Sequence, residues 1–152
     1  MKCIVDDHCG GLTIIPKSHQ VEVKAAIDSV MVKPARGAAE GIRDALVTSL
    51  QTSGWSAKTR MSKEFGISIS SMKETTGLCM QTGGNMARMY ADWLKLQQLY
   101  VTGKITCGVM IVPSKPTAKL LGQNIVHASR LVQELAFFNK VIHIPLIIFS
   151  FE

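Results

Sequence analysis

The sequence predicts an α/β fold, a mixed central sheet flanked by helices, and three observations lead there. Residues 38–51 and 86–101 carry apolar side chains at helical spacing and are each followed by a glycine stop. Short apolar runs bounded by Gly and Pro lie between and after them. Helical and strand-like stretches then alternate along the chain, in the order helix, three-strand meander, helix, strand, helix, strand.

The opening 37 residues read as a strand-rich segment. Leu12-Thr13-Ile14-Ile15 is a short apolar run stopped by Pro16, and Val21-Glu22-Val23-Lys24 has the period-two alternation of a half-exposed strand. Cys3, His8 and Cys9 lie close in sequence, but their spacing fits no common zinc pattern, so they read as ordinary N-terminal turn residues. In the first helix, Ala38, Ile42, Ala45, Leu46 and Leu50 fall on one face, and Gly54 follows as its stop.

Three short segments come next: Trp55 to Met61, Gly66 to Ser70, and Gly77 to Gln81. The turn residues between them predict an antiparallel meander. From Met86 to Val101 the stripe Met89, Trp93, Leu96, Leu99 marks a long amphipathic helix whose other side carries Arg88, Asp92 and Lys95. The run Ile105 to Val112 between Gly103 and Pro113 predicts a buried strand. Residues Asn124 to Phe138 predict another helix, and Val141 to Phe151 a closing strand.

Composition bounds the function. A chain of 152 residues has room for one ordinary domain, and 47% hydrophobic against 18% charged residues is enough to bury a core. There is no apolar run of roughly 18 residues, and Asp6 and Asp7 stand where an export signal needs apolar residues, so a cytoplasmic protein with reduced cysteines is expected. The net charge of +6 suits a polyanionic partner such as nucleic acid. No phosphate-cradling glycine loop, dinucleotide fingerprint or His-Glu-x-x-His occurs, which excludes those enzyme classes. Trp55, Trp93, Phe137 and Phe138 fall on core patterns, leaving no platform for stacking single-stranded bases.

Three motifs carry a family likeness: Gly77-Leu78-Cys79-Met80-Gln81-Thr82-Gly83, Tyr90-Ala91-Asp92-Trp93-Leu94-Lys95-Leu96-Gln97, and Gly108-Val109-Met110-Ile111-Val112-Pro113. In this order they resemble type II restriction endonucleases of the BglII and BstYI sort, within the PD-(D/E)xK nuclease superfamily. The likeness covers roughly residues 38 to 152 and implies a restriction-endonuclease-like core acting on duplex DNA as a symmetric dimer. It further implies an Asp on one strand and a Glu on the next that hold Mg2+ against the scissile phosphate, because hard cations take oxygen ligands.

Laid on that pattern, the family's Asp falls on Ser70 and its Glu on Cys79, while its Gln is matched by Gln81. A hydroxyl and a soft sulfur are weak magnesium ligands, so the resemblance implies a degenerate active site. Glu74, Glu40 and Asp92 are the carboxylates in reach that could replace the missing pair. Lys58, Arg60, Lys63, Lys73, Arg88 and Lys95 cluster around the same segments as candidate phosphate contacts. The leading expectation is a duplex-DNA-binding protein of weak or no nuclease activity. The alternatives are an active Mg2+-dependent endonuclease with relocated carboxylates, and a protein-interaction module that keeps the fold. The helix 86–101 is the expected dimer interface.

Overall fold

The computed structural model describes residues 1–152. In chain order the elements are β1 (Cys3–His8), α1 (Gly11–Ile14), α2 (Lys17–Asp28), α3 (Ala39–Thr52), β2 (Thr59–Arg60), β3 (Ser68–Ile69), β4 (Ser71–Lys73), β5 (Thr76–Met80), α4 (Met86–Val101), β6 (Cys107–Pro113), α5 (Lys115–Leu121), α6 (Ala128–Phe137) and β7 (Leu146–Phe151). Five strands form one mixed sheet in the order β1-β7-β6-β5-β4. The inner three are parallel and the two outer strands antiparallel to their neighbours. Parallel neighbours cannot be joined by a tight turn, and α4 makes the crossover from β5 to β6.

Every residue of β5, β6 and β7 is buried, as expected of strands covered on both faces. Strand alternation sorts their side chains. Leu78, Met80, Val109, Ile111, Ile147 and Phe149 pack with Val23, Ile27, Ile42 and Leu46 of α2 and α3. Cys79, Met110, Val112 and Ile148 turn to the other face, against Met89, Trp93 and Leu96 of α4 and Leu131 of α6. The consequence for function is that Cys79 and Gln81, two residues apart, look toward α4.

The sequence reading of α3 and α4 agrees with the structure to within a residue at each end. The N-terminal segment, strand-rich in the sequence reading, holds more helix than strand in the structure. Val21–Lys24 lies inside α2, where His19, Val23, Ala26 and Ile27 are buried at helical spacing. Four alternating residues fit either period, and the wider window decides for the helix. Leu12–Ile14 is likewise helical, in α1. Cys3 to His8, read as turn residues, form the edge strand β1.

The expected meander is also rearranged. From Trp55 to Met61 only Thr59 and Arg60 are in a strand, and they pair with Ser68 and Ile69 in a separate two-stranded sheet. The main sheet takes β4 and β5 instead. The helix α5 was missed, although Ser114 caps it by accepting from the Thr117 N–H and a proline stands in its first turn. No helix is long and apolar enough to cross a membrane.

Candidate functional site

At the end of β5, where the chain leaves the sheet for α4, a cleft of about 170 Å³ is lined by Arg43, Lys58, Ser70, Gln81, Asp92 and Lys95, with Ser68, Ile69 and Met80 completing it. Five different segments supply these six side chains. Arg43 comes from α3, Lys58 from the loop before β2, and Ser70 from the junction of β3 and β4. Gln81 directly follows β5, and Asp92 and Lys95 stand one turn apart on α4.

Asp92 is the pivot. It lies on the helix side read as solvent-facing from the sequence, yet it is only 4% exposed. A buried carboxylate needs donors, and it has them: Lys95 Nζ donates to Oδ1 at 2.8 Å and Gln81 Nε2 to Oδ2 at 2.5 Å. Cys79 sits beneath this pair. Burial, then the Asp92 carboxylate, push its thiol well above the ordinary range, which disfavours the thiolate. Ser70 Oγ accepts from the Met80 N–H at 3.1 Å, tying the β3–β4 junction to the end of β5.

The glycines after Gln81 shape the cleft. A methyl group on Gly84 would lie 2.0 Å from Gln81 Oε1, so the glutamine side chain rests on bare backbone. Asn85 then caps α4 by accepting from the Arg88 N–H at 3.2 Å. The helix carrying Asp92 therefore starts at a fixed point beside the cleft.

Of the residues singled out from the sequence, the structure brings Ser70, Gln81, Asp92, Lys58 and Lys95 together at this cleft, with Cys79 buried behind them. Glu74 is not there. It occupies the β4–β5 turn at the opposite end of β5, with a left-handed φ of 51°, and its carboxylate lies 3.7 Å from buried His19. Glu40 is exposed in the first turn of α3 and does not line the cleft. Arg60 and Lys63 are exposed nearby without lining it, and Arg88 lines a neighbouring cavity with Gly83, Gly84 and Asn124. Arg43, missed in the sequence, is the α3 side chain that lines the cleft, where the sequence pointed to Glu40. Its signal was weak, since an exposed arginine one turn into a helix resembles any solubilising charge.

Lys73 belongs to a different structure. Its Nζ donates to Glu22 Oε1 at 2.6 Å and to the Ser53 carbonyl at 2.7 Å, while Trp55 Nε1 donates to Glu22 Oε2 at 2.9 Å. Burial acts to raise the Glu22 carboxyl, but the Lys73 and Trp55 hydrogen bonds outweigh it and hold the group below its ordinary value. A depressed carboxyl contributes stability that is present above the unfolded value of about 4.3 and is lost as pH falls through the folded one. Glu22→Gln should therefore lower the melting temperature at neutral pH and flatten its decline between about pH 5 and pH 3. An unchanged acid slope in the variant would contradict this assignment.

The sequence matches the family described as Restriction endonuclease BglII/BglIII over residues 4–151. The chain belongs to this family. A crystal structure of restriction endonuclease BglII complexed with a DNA 16-mer superposes with a TM-score of 0.87 at 13% identity, covering 100% of this chain and 78% of that one. Free BglII gives 0.73 at 15% identity, over 100% and 80%. No curated protein matches. At these identities the superpositions establish the BglII fold, whose five-strand mixed sheet and flanking helices are those described above.

Proposed function

We propose that the chain binds duplex DNA through the basic cleft and is a weak or inactive nuclease. The observation that carries this reading is the donor set. Of the side chains lining the cleft, three are cations and one, Asp92, is a carboxylate, whose two oxygens already accept from Lys95 and Gln81. Family membership implies Mg2+, and these residues do not fit it. A hard divalent ion takes several oxygen ligands, commonly with two carboxylates in the nuclease pattern. Here the matching positions hold a hydroxyl and a buried neutral thiol, and nowhere do three His, Cys, Asp or Glu side chains gather to hold a metal ion. A phosphate diester, in contrast, is the ligand such a cleft suits: Arg43 and Lys58 are exposed and Lys95 is held in place by Asp92.

The duplex is proposed as the partner because of the family and because the complex with DNA is the solved structure that superposes at 0.87. A homodimer is part of the reading. One face of α4 is committed to the core through Met89, Trp93 and Leu96, but Leu94 and Val101 on the other face are 61% and 58% exposed. Pairing those faces about a two-fold axis would present two basic clefts to one duplex.

Supercoiled plasmid incubated with Mg2+, and separately with Mn2+, tests the reading beside Asp92→Asn protein and a gel shift of the same DNA. The expected result is a salt-sensitive shift with the plasmid left supercoiled. Cleavage that Asp92→Asn abolishes would overturn it in favour of an active endonuclease with a relocated carboxylate, the one such candidate that lines the cleft. Neither shift nor cleavage at low salt would move the fold to a protein-interaction role.

A further inference from the structure

A second cationic cleft lies along the same end of the sheet, and the proposed function does not use it. After β6, α5 and the loop 122–127 enclose about 130 Å³ lined by Lys115, Lys119, Asn124 and His127, with no carboxylate in the lining. Neither lysine has a salt-bridge partner. His127 caps α6, its Nδ1 accepting from the Arg130 N–H at 3.3 Å. That bond assigns the ring proton to Nε2, which is left as a donor.

Burial, then Lys115, Arg130 and Lys119, push the His127 imidazole below its ordinary value, and of these cations Arg130 alone is paired, with Glu134. The position of this cleft relative to the first is fixed. The Val126 N–H donates to the Gly84 carbonyl at 2.8 Å, and Gly84 is the residue against which Gln81 rests. Between the two clefts lies the cavity lined by Asn85, Arg88 and Asn124. Contacts through Gly84 and Asn124 thus link the cleft of Lys58 and Arg43, by the cavity of Arg88, to that of Lys119 and Lys115.

We propose that the α5–α6 cleft is a second phosphate-binding site, taking through Lys115, Lys119 and His127 Nε2 a backbone phosphodiester of the duplex held at the first cleft. This rests on the duplex-binding reading above. A free phosphate would offer the same oxygens, so the test separates the two sources.

The test titrates a labelled duplex against Lys115→Gln/Lys119→Gln protein and His127→Asn protein, with Arg43→Gln/Lys58→Gln as reference. Asparagine is a good N-cap, so His127→Asn keeps the start of α6 and removes only the ring donor. Each lost phosphate contact should lower the salt slope by about 1, so the double lysine variant should lose about 2 and bind about tenfold more weakly. His127→Asn should bind a few-fold more weakly with its melting temperature retained. In parallel, the His127 ring resonances are followed as inorganic phosphate is added.

Weakening by both pairs of substitutions supports the proposal. If the first-cleft pair weakens binding while the α5–α6 variants change neither affinity nor slope, this inference fails and the duplex reading stands. If the protein shows no duplex affinity, the duplex reading fails. A His127 shift with inorganic phosphate alone would then make the cleft a site for a free phosphate, which also overturns the proposal.

Discussion

Replacing Arg43 and Lys58 together by glutamine is expected to weaken duplex binding about 10- to 100-fold and to reduce the salt slope by about 2. Both side chains are exposed and line the cleft, one from α3 and one from the loop before β2. Neither has a carboxylate partner within the chain, so their charge is available to a phosphate. A slope change of about 2 corresponds, at roughly 0.1 M salt, to a loss of up to about 100-fold, which sets the size of the effect. The comparison is Lys73→Gln, which should leave binding unchanged while lowering stability, because that lysine is spent on Glu22 and the Ser53 carbonyl. Fluorescence anisotropy at several salt concentrations reads both, and the saturation point checks for two chains per duplex. Equal binding by the Arg43/Lys58 variant would remove the cleft from the interface.

Gly11→Ala is expected to cost about 3 kcal/mol or more, the largest single effect on folding. Gly11 is buried at the start of α1, directly against the first residue of β7. An added methyl group would lie 2.2 Å from the Leu146 carbonyl oxygen and 2.3 Å from its carbon. No rotamer relieves a clash with backbone. Leu146 cannot yield alone, since it pairs with His8 of β1 and Gly108 of β6, so the strain reaches three strands. For a chain of this size the melting temperature should fall by about 6 to 12 °C. Gly41→Ala is the control: it lies within α3 with nothing nearer than 3.8 Å, and alanine there should stabilise by up to about 1 kcal/mol. Thermal denaturation followed by circular dichroism measures both, and an unshifted Gly11→Ala would mean that α1 is not seated on β7.

How much of this was legible in the sequence depended on length and period. The helices α3 and α4 are long and strongly amphipathic, and β6 is a continuous apolar run, so their patterns cover enough residues to exclude the alternative period. Val21 to Lys24 offered only four residues, and the buried positions His19 and Ile27 that make α2 a helix lay outside that window. At the cleft, Gln81 and Ser70 were picked out through the family resemblance alone, and both line it. What was not legible was which carboxylate the fold turns inward. Glu74 is held at the far end of β5 by a turn with positive φ, and Glu40 points to solvent, while Asp92 is drawn in by Gln81 and Lys95. Those are tertiary contacts between a strand end and a helix. The sequence shows that the residues exist and leaves open that they meet.

The central claim is that a family member whose cleft offers cations in place of metal ligands holds duplex DNA without needing a divalent ion. The most direct test is a titration of labelled duplex in chelator and in Mg2+, at roughly 50 and 200 mM salt, with the DNA recovered afterwards and sized. The account predicts equal binding with and without chelator, a steep loss at the higher salt, and intact duplex throughout. Binding that requires Mg2+, or duplex cut in its presence, would contradict it.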